Sequence, residues 1–142
     1  LASLHKIPSK IFNLTSRIQQ ELLLKELNKK KISLICLAGY MKILSKYFIN
    51  NFNGKIINIH PSLLPKYKGL NTYSRVLKSQ DKFTGCTVHY VNEKLDAGKI
   101  ILKKKVFVEK KDDKNSLKKK VQAKEYQAYS EALIKMFRKT NS

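Results

Sequence analysis

The sequence is poor in arginine, acidic residues, cysteine, proline and glycine, and it has no long apolar run. Ten acidic residues stand against 30 basic ones, for a formal net charge of +20. Of the basic set only Arg17, Arg75 and Arg138 are arginine; the rest are lysine. Proteins that read bases or grip phosphates lean on the bidentate arginine fork. Positive charge carried almost wholly by lysine, beside abundant isoleucine and asparagine, reads more simply as A/T-biased coding than as a nucleic-acid surface. It can still draw anionic ligands toward a cleft at low ionic strength. No apolar stretch approaches the length that spans a bilayer, which excludes a transmembrane helix, and no membrane partner is expected. Cys36 and Cys86 have apolar neighbours and no metal-ligand spacing, so both are expected to be reduced thiols in the core of a cytoplasmic protein. No histidine, cysteine and carboxylate cluster resembles a metal site, and no metal is expected. No repeat and no Gly/Ser linker divides the chain, and 142 residues are enough for one domain with its own core. The opening LASLHKIPSK lacks the apolar centre of a signal peptide and begins with Leu1, so a fragment, a processed chain or a trimmed one is expected.

What is present is an alternation of strand and helix patterns. Ile18, Leu22, Leu23 and Leu27 recur at helical spacing over 15–30, with Thr15 or Ser16 as N-cap and Lys29 to Lys31 at the C-terminal end. Residues 32–40 form a short continuous apolar run, the pattern of a strand buried on both faces of a parallel sheet. A short helix is predicted over 42–51 and a second buried strand over 55–60. Pro61, Pro65 and Gly69 constrain the loop that follows, and a helix is predicted over 72–79. Residues 84–91 alternate and are β-branched, a strand; 92–98 form a loop, and 99–108 another strand. Asp112, Asp113 and Ser116 precede a long amphipathic helix over 115–138, with Leu117, Val121, Ala128, Ala132, Leu133 and Met136 facing inward. The pattern is that of an α/β fold.

The chemistry-bearing residues sit at one strand end. Asn58 and His60 are two apart on the 55–60 strand, so their side chains share a face. At the C-terminal end of a strand in a parallel sheet that face opens onto a ligand crevice. An amide and a titratable imidazole therefore converge there, although a lone histidine at a strand end is more often structural than functional. Asp96, in Leu95-Asp96-Ala97-Gly98, is by itself a turn former or a functional carboxylate.

NIHPSLLPKYKG, then TGCTVHYV, then LDAGKIIL, with LAGYMKILS upstream, resembles the signature of folate-dependent formyltransferases, and within them the branch that formylates glycinamide ribonucleotide. The similarity runs from about Arg17 to about Tyr129. It implies a doubly wound, Rossmann-like, mostly parallel sheet, in which the first strands and the phosphate-binding loop of the family are absent from residues 1–142. Such a polypeptide alone is expected to be unstable or inactive. The resemblance implies that Asn58 hydrogen-bonds the formyl oxygen of 10-formyltetrahydrofolate. It makes His60 the imidazolium that stabilises the tetrahedral oxyanion and donates a proton, and Asp96 its carboxylate partner. Met41, Lys42, Ile43 and Leu44 match the segment that holds the pterin ring, with Tyr40, Ile49, Ile56 and Val91 as apolar wall. Asn92, Glu93 and Leu95 belong to the folate loop, and Arg17 to the region of the folate tail. Gln122 and Glu125 match residues that hold the nucleotide. Read without the resemblance, the apolar set is equally plain core, and Gln122 and Glu125 an exposed helix face. Thr87 and His89 match positions beside the catalytic centre. The implied partners are two small molecules, with no specific nucleic acid and with a homodimer left open. Two other readings stand beside this one: a formyltetrahydrofolate deformylase, in which water attacks the same carbon, and a basic nucleic-acid-binding module using the lysine runs at 103–105, 110–111 and 118–120.

Overall fold

The computed structural model describes residues 4–40 and 42–138. Ser16 caps the first helix, α1 (Arg17–Lys29), by accepting from the Gln19 amide. Thr15, the other candidate cap, bonds Asn13 instead. The chain continues through β1 (Leu34–Leu37), α2 (Lys46–Asn51), β2 (Lys55–His60), α3 (Thr72–Lys78), β3 (Phe83–Tyr90), β4 (Ile100–Phe107) and α4 (Lys114–Arg138). α2 starts four residues later than the pattern predicts because Ser45 caps it, its hydroxyl accepting from the Phe48 amide at 3.0 Å.

The strands form one sheet in the order β1-β2-β3-β4. β1 and β2 are parallel; β2 with β3 and β3 with β4 are antiparallel. The sheet among the described residues is therefore mixed, not mostly parallel as expected. The reason is connectivity. β3 and β4 are joined by a loop too short for a crossover, which forces an antiparallel pair.

Both faces of the sheet are covered, and adjacent residues of β2 show how. Ile57 is fully buried with Val76, Cys86, Val88, Val106, Leu117, Val121, Ala128 and Ala132 on the α3/α4 side. Its neighbour Ile56 is buried with Leu24, Leu44, Phe48 and Phe52 on the α1/α2 side. The inner stripe of α4 is the predicted one, with Leu133 and Met136 packed at its margin. A fully buried aliphatic side chain contributes roughly 1.5–3 kcal/mol. One expectation fails: Cys36 is exposed, whereas Cys86 is buried. Among the described residues β1 is the end strand of the sheet, and α4 lies over β3 and β4, so Cys36 falls outside the helix footprint. There Tyr129 reaches across from α4, its hydroxyl donating to the Leu37 carbonyl at 2.9 Å.

The start of α4 holds a polar cluster. Asp113 accepts from the Ser116 amide at 2.7 Å while the Ser116 hydroxyl accepts from the Asp113 amide at 3.0 Å, a reciprocal cap. Asp112 accepts from the Lys120 ammonium, the Ser116 hydroxyl and the Glu109 amide, each at 2.8 Å. The Lys120 bond, foremost, holds the Asp112 carboxyl below its ordinary range against the opposing cost of burial. A lowered carboxylate contributes stability above its ordinary range and loses it as pH falls through the folded value. The urea midpoint is thus expected to drop between pH 6 and pH 3. Asp112→Asn should start lower and fall less steeply. Parallel curves for the two proteins would remove Asp112 from that role.

Candidate active site

Alternation along β2 places Ile57 and Ile59 toward α4 and leaves Ile56, Asn58 and His60 on the opposite face. Opposite them on β3, Asn58 pairs with His89 and His60 with Thr87. One face of the β2/β3 pair therefore runs from an apolar wall at Ile56 into a patch of amide, two imidazoles and a hydroxyl. Tyr40, Ile49 and Val91 pack against the same apolar cluster as Ile56.

The β3–β4 loop returns Asp96 to this patch. Asp96 has φ +45°, and the loop closes with the Tyr90 amide donating to the Lys99 carbonyl at 2.9 Å. Gly98 is required by close approach: a Cβ there would stand 1.6 Å from the Tyr90 carbonyl oxygen. The Asp96 carboxylate is thereby inserted between two histidines. Its Oδ2 lies 3.3 Å from His60 Nδ1 and accepts from the Gly69 amide at 2.9 Å; its Oδ1 lies 3.7 Å from His89 Nε2. The three side chains are 7%, 8% and 3% exposed for His60, Asp96 and His89, so the groups face one another with little water between them.

The two imidazoles are in different states of hydrogen bonding. His60 Nε2 meets the Tyr67 carbonyl at 2.8 Å, and Nδ1 faces the Asp96 carboxylate. Both partners are acceptors, so only the doubly protonated ring donates to both. His89 Nδ1 donates to the Tyr90 carbonyl at 2.8 Å, and burial holds the His89 pKa below its ordinary value against the pull of that carbonyl and Asp96. A neutral ring with its proton on Nδ1 presents a bare Nε2 to Asp96. This explains why that buried nitrogen lacks a hydrogen-bond partner and keeps its distance. Asn58 is half-buried and its amide makes no hydrogen bond among the described residues.

Other predicted site residues divide. Leu44 is anchored in the α1/α2 core, whereas Lys42 and Ile43 are exposed beside it; Met41 lies outside the described residues. Asn92 accepts from the Lys94 amide at 3.0 Å, Glu93 binds Asn50 and Lys46, and Leu95 is half-exposed near Gly69. Arg17 stacks over Tyr47, 3.0 Å from its ring centre, and pairs with Glu21. No described contact joins it to Asp96 or His60. Gln122 and Glu125 are half-buried on α4. Burial raises the Glu125 carboxyl, which faces Tyr73 and Cys86, on the other side of the sheet from His60. The partners that sequence reasoning missed are the Tyr67 carbonyl and the Gly69 amide. Both are backbone groups, which leave no mark in residue identity. Among the described residues no group of histidine, cysteine and carboxylate could hold a metal ion, and no helix is long and apolar enough to cross a membrane. Each lysine run is partly engaged within the chain: Lys104 with Glu131, Lys111 with Glu109, and Lys120 with Asp112.

The sheet is covered on both faces and carries an Asn–His–Asp group at the foot of an apolar wall. The family profile described as "Formyl transferase" matches residues 2–133, and the chain belongs to that family. Within it the chain is similar to the phosphoribosylglycinamide formyltransferase of Haemophilus influenzae, at 50% identity over 106 residues, which are 75% of this chain and 50% of that protein. It is also similar to the human trifunctional purine biosynthetic protein adenosine-3, at 45% identity over 107 residues, covering 75% of this chain and 11% of that protein. Among solved structures, the phosphoribosylglycinamide formyltransferase of Bacillus halodurans superposes with a TM-score of 0.88 at 34% identity, covering 98% of this chain and 74% of that one. That of Anaplasma phagocytophilum gives 0.85 at 39% identity, covering 93% and 64%. The fold is therefore the Rossmann-like fold of these formyltransferases. The chain spans about half the length of the Haemophilus relative.

Proposed function

We propose that the protein carrying this chain transfers the formyl group of 10-formyltetrahydrofolate to the primary amine of glycinamide ribonucleotide, in the cytoplasm, as a step of purine synthesis. Residues 1–142 are read as one catalytic domain of that enzyme. The observation that carries the reading is the free Asn58 amide beside the buried His60–Asp96 couple, at the end of the apolar Ile56–Val91 wall. In this mechanism the amine nitrogen attacks the formyl carbon and a C–N bond forms while the carbonyl oxygen becomes an oxyanion. Asn58 and the His60 imidazolium face that oxygen; preorganised donors of this kind typically supply the largest part of such catalysis. Collapse breaks the bond from carbon to N10 of the folate. The proton lost by the attacking amine is matched by one gained at N10, with His60 as carrier and Asp96 balancing its charge. The Tyr67 carbonyl fixes the direction of the ring before substrate binds, and Nε2 turns from it to the substrate.

In the same reading the pterin lies along Met41, Lys42, Ile43 and Leu44, with Asn92, Glu93 and Leu95 closing over it and Arg17 toward the tail. Gln122 and Glu125 serve the nucleotide. No metal takes part and no homodimer is proposed. Neither hydrolysis nor nucleic-acid binding is favoured by any feature of the site, and the engaged lysine runs speak against the second. Absorbance of the folate product, followed with and without glycinamide ribonucleotide, tests the reading. Turnover is expected only with the nucleotide. Turnover in its absence would make water the acceptor and replace the transferase with a hydrolase.

A further inference from the structure

His60 stands opposite Thr87 in the β2–β3 register, and Thr87 stands opposite Lys103 in the β3–β4 register. Directly opposed residues share a face, so the three side chains form one row across three strands. We infer that Lys103, together with Thr87, is a positioning residue: it clamps the loop after His60 and so holds the imidazole in register. The inference rests on the formyl-transfer reading of the site.

The clamp can be followed bond by bond. The buried Thr87 hydroxyl donates to the Ser62 carbonyl at 2.7 Å and accepts from the Leu64 amide at 3.1 Å. The Lys103 ammonium donates to the Leu64 carbonyl. Both backbone groups of Leu64 are thus held by the row. The Ser62 hydroxyl donates to the Lys66 carbonyl at 2.6 Å and closes the turn. The next residue, Tyr67, gives its carbonyl to His60 Nε2 at 2.8 Å. β3 is bare under the loop: a Cβ on Gly85 would come within 3.0 Å of Leu63 and 1.9 Å of the Lys104 carbonyl. On the far side, the Tyr67 hydroxyl donates to Asp81 at 2.9 Å. The carbonyl that meets His60 is therefore bracketed between a tether at Asp81 and the clamp at Leu64.

Lys103 is not redundant with Thr87. A hydroxyl has one proton to donate, and Thr87 spends it on Ser62. The Leu64 carbonyl is left to the ammonium, and a charged donor makes the stronger bond. Without it the loop keeps the Thr87 bonds and the Asp81 tether, so the fold persists. The loop then seats less firmly, and the carbonyl and the ring beneath it lose their fixed separation. Small losses of alignment at a reacting centre lower turnover steeply.

The test compares Lys103→Met, which keeps the stem and removes the donor, with Lys103→Arg, which keeps a charged donor, in the natural protein that carries this chain. Lys103→Met is expected to lower kcat about tenfold, equivalent to about 1.4 kcal/mol of barrier. KM for both substrates and the thermal midpoint should stay near those of the parent, and Lys103→Arg should recover most of the loss. Nitrogen-15 imidazole spectra give a second readout that needs no activity. The His60 Nε2 proton signal should shift or broaden in Lys103→Met and return in Lys103→Arg. An unchanged kcat, equal losses in both variants, a loss that tracks a lowered thermal midpoint, or an unmoved His60 signal overturns the inference. A parent protein with no formyl transfer would remove the proposed function, while the spectra still decide the clamp.

Discussion

Formyl-transfer turnover is expected to fall by about two to four orders of magnitude in His60→Ala, the range typical for a positioned proton carrier. Asp96→Asn should approach the same loss, and for an informative reason. The asparagine oxygen can still accept from the Gly69 amide, which Asp96 does at 2.9 Å, so the loop keeps its anchor. What disappears is the negative charge 3.3 Å from His60 Nδ1, in a site where neither group is more than 8% exposed. The positive charge that the proposed mechanism places on His60 then has no counter-charge beside it. The double substitution should cost little more than either single one, because groups that act as a unit are not additive. KM for the folate should change little, since neither side chain belongs to the apolar wall. Steady-state kinetics of the three variants in the natural protein provide the measurement. Turnover near the parent value in either single variant would dismiss the assigned roles, and a loss confined to KM would reassign both residues to ground-state binding.

The second large effect falls on stability. Gly98→Ala introduces a Cβ 1.6 Å from the Tyr90 carbonyl oxygen and 2.6 Å from its carbon. Both are backbone atoms at the end of β3, so no side-chain rotation relieves the contact. The loop has to lift away from the strand, breaking the Tyr90–Lys99 backbone bond of 2.9 Å that closes it. A cost of about 3 kcal/mol is expected, the upper part of the usual range for overpacking. Because Asp96 lies two residues upstream, activity should fall with stability. Denaturant unfolding and turnover measured on the same preparation check both. A variant as stable as the parent would mean that the loop does not lie against Tyr90 as described.

The elements were legible where local pattern and tertiary role agree. The 55–60 strand, the inner stripe of α4 and the Ser16 cap follow from period, apolar spacing and capping chemistry, all short-range properties of the chain. The 32–40 run was legible as a strand but not in its burial. An apolar run reports what a strand can tolerate, and its place at the end of the sheet formed by the described residues, beyond α4, is a matter of neighbours far along the chain. Cys36 is exposed for the same reason.

In the site, strand alternation put Asn58 and His60 on one face but left both residues, like Asp96 in its turn, open to a structural reading; the resemblance of the motifs singled out all three. The sequence by itself also determined the family, through several motifs in fixed order. Only the tertiary structure decided that one carboxylate stands between two histidines, that one ring meets two acceptors while the other is held neutral, and that backbone groups of Tyr67 and Gly69 complete the arrangement. It also decided that Arg17, Gln122 and Glu125 stand apart from that group. The physical reason is common to all of these. Distances across a sheet and carbonyls in a loop are set by pairing register and chain return, which no single stretch of sequence encodes.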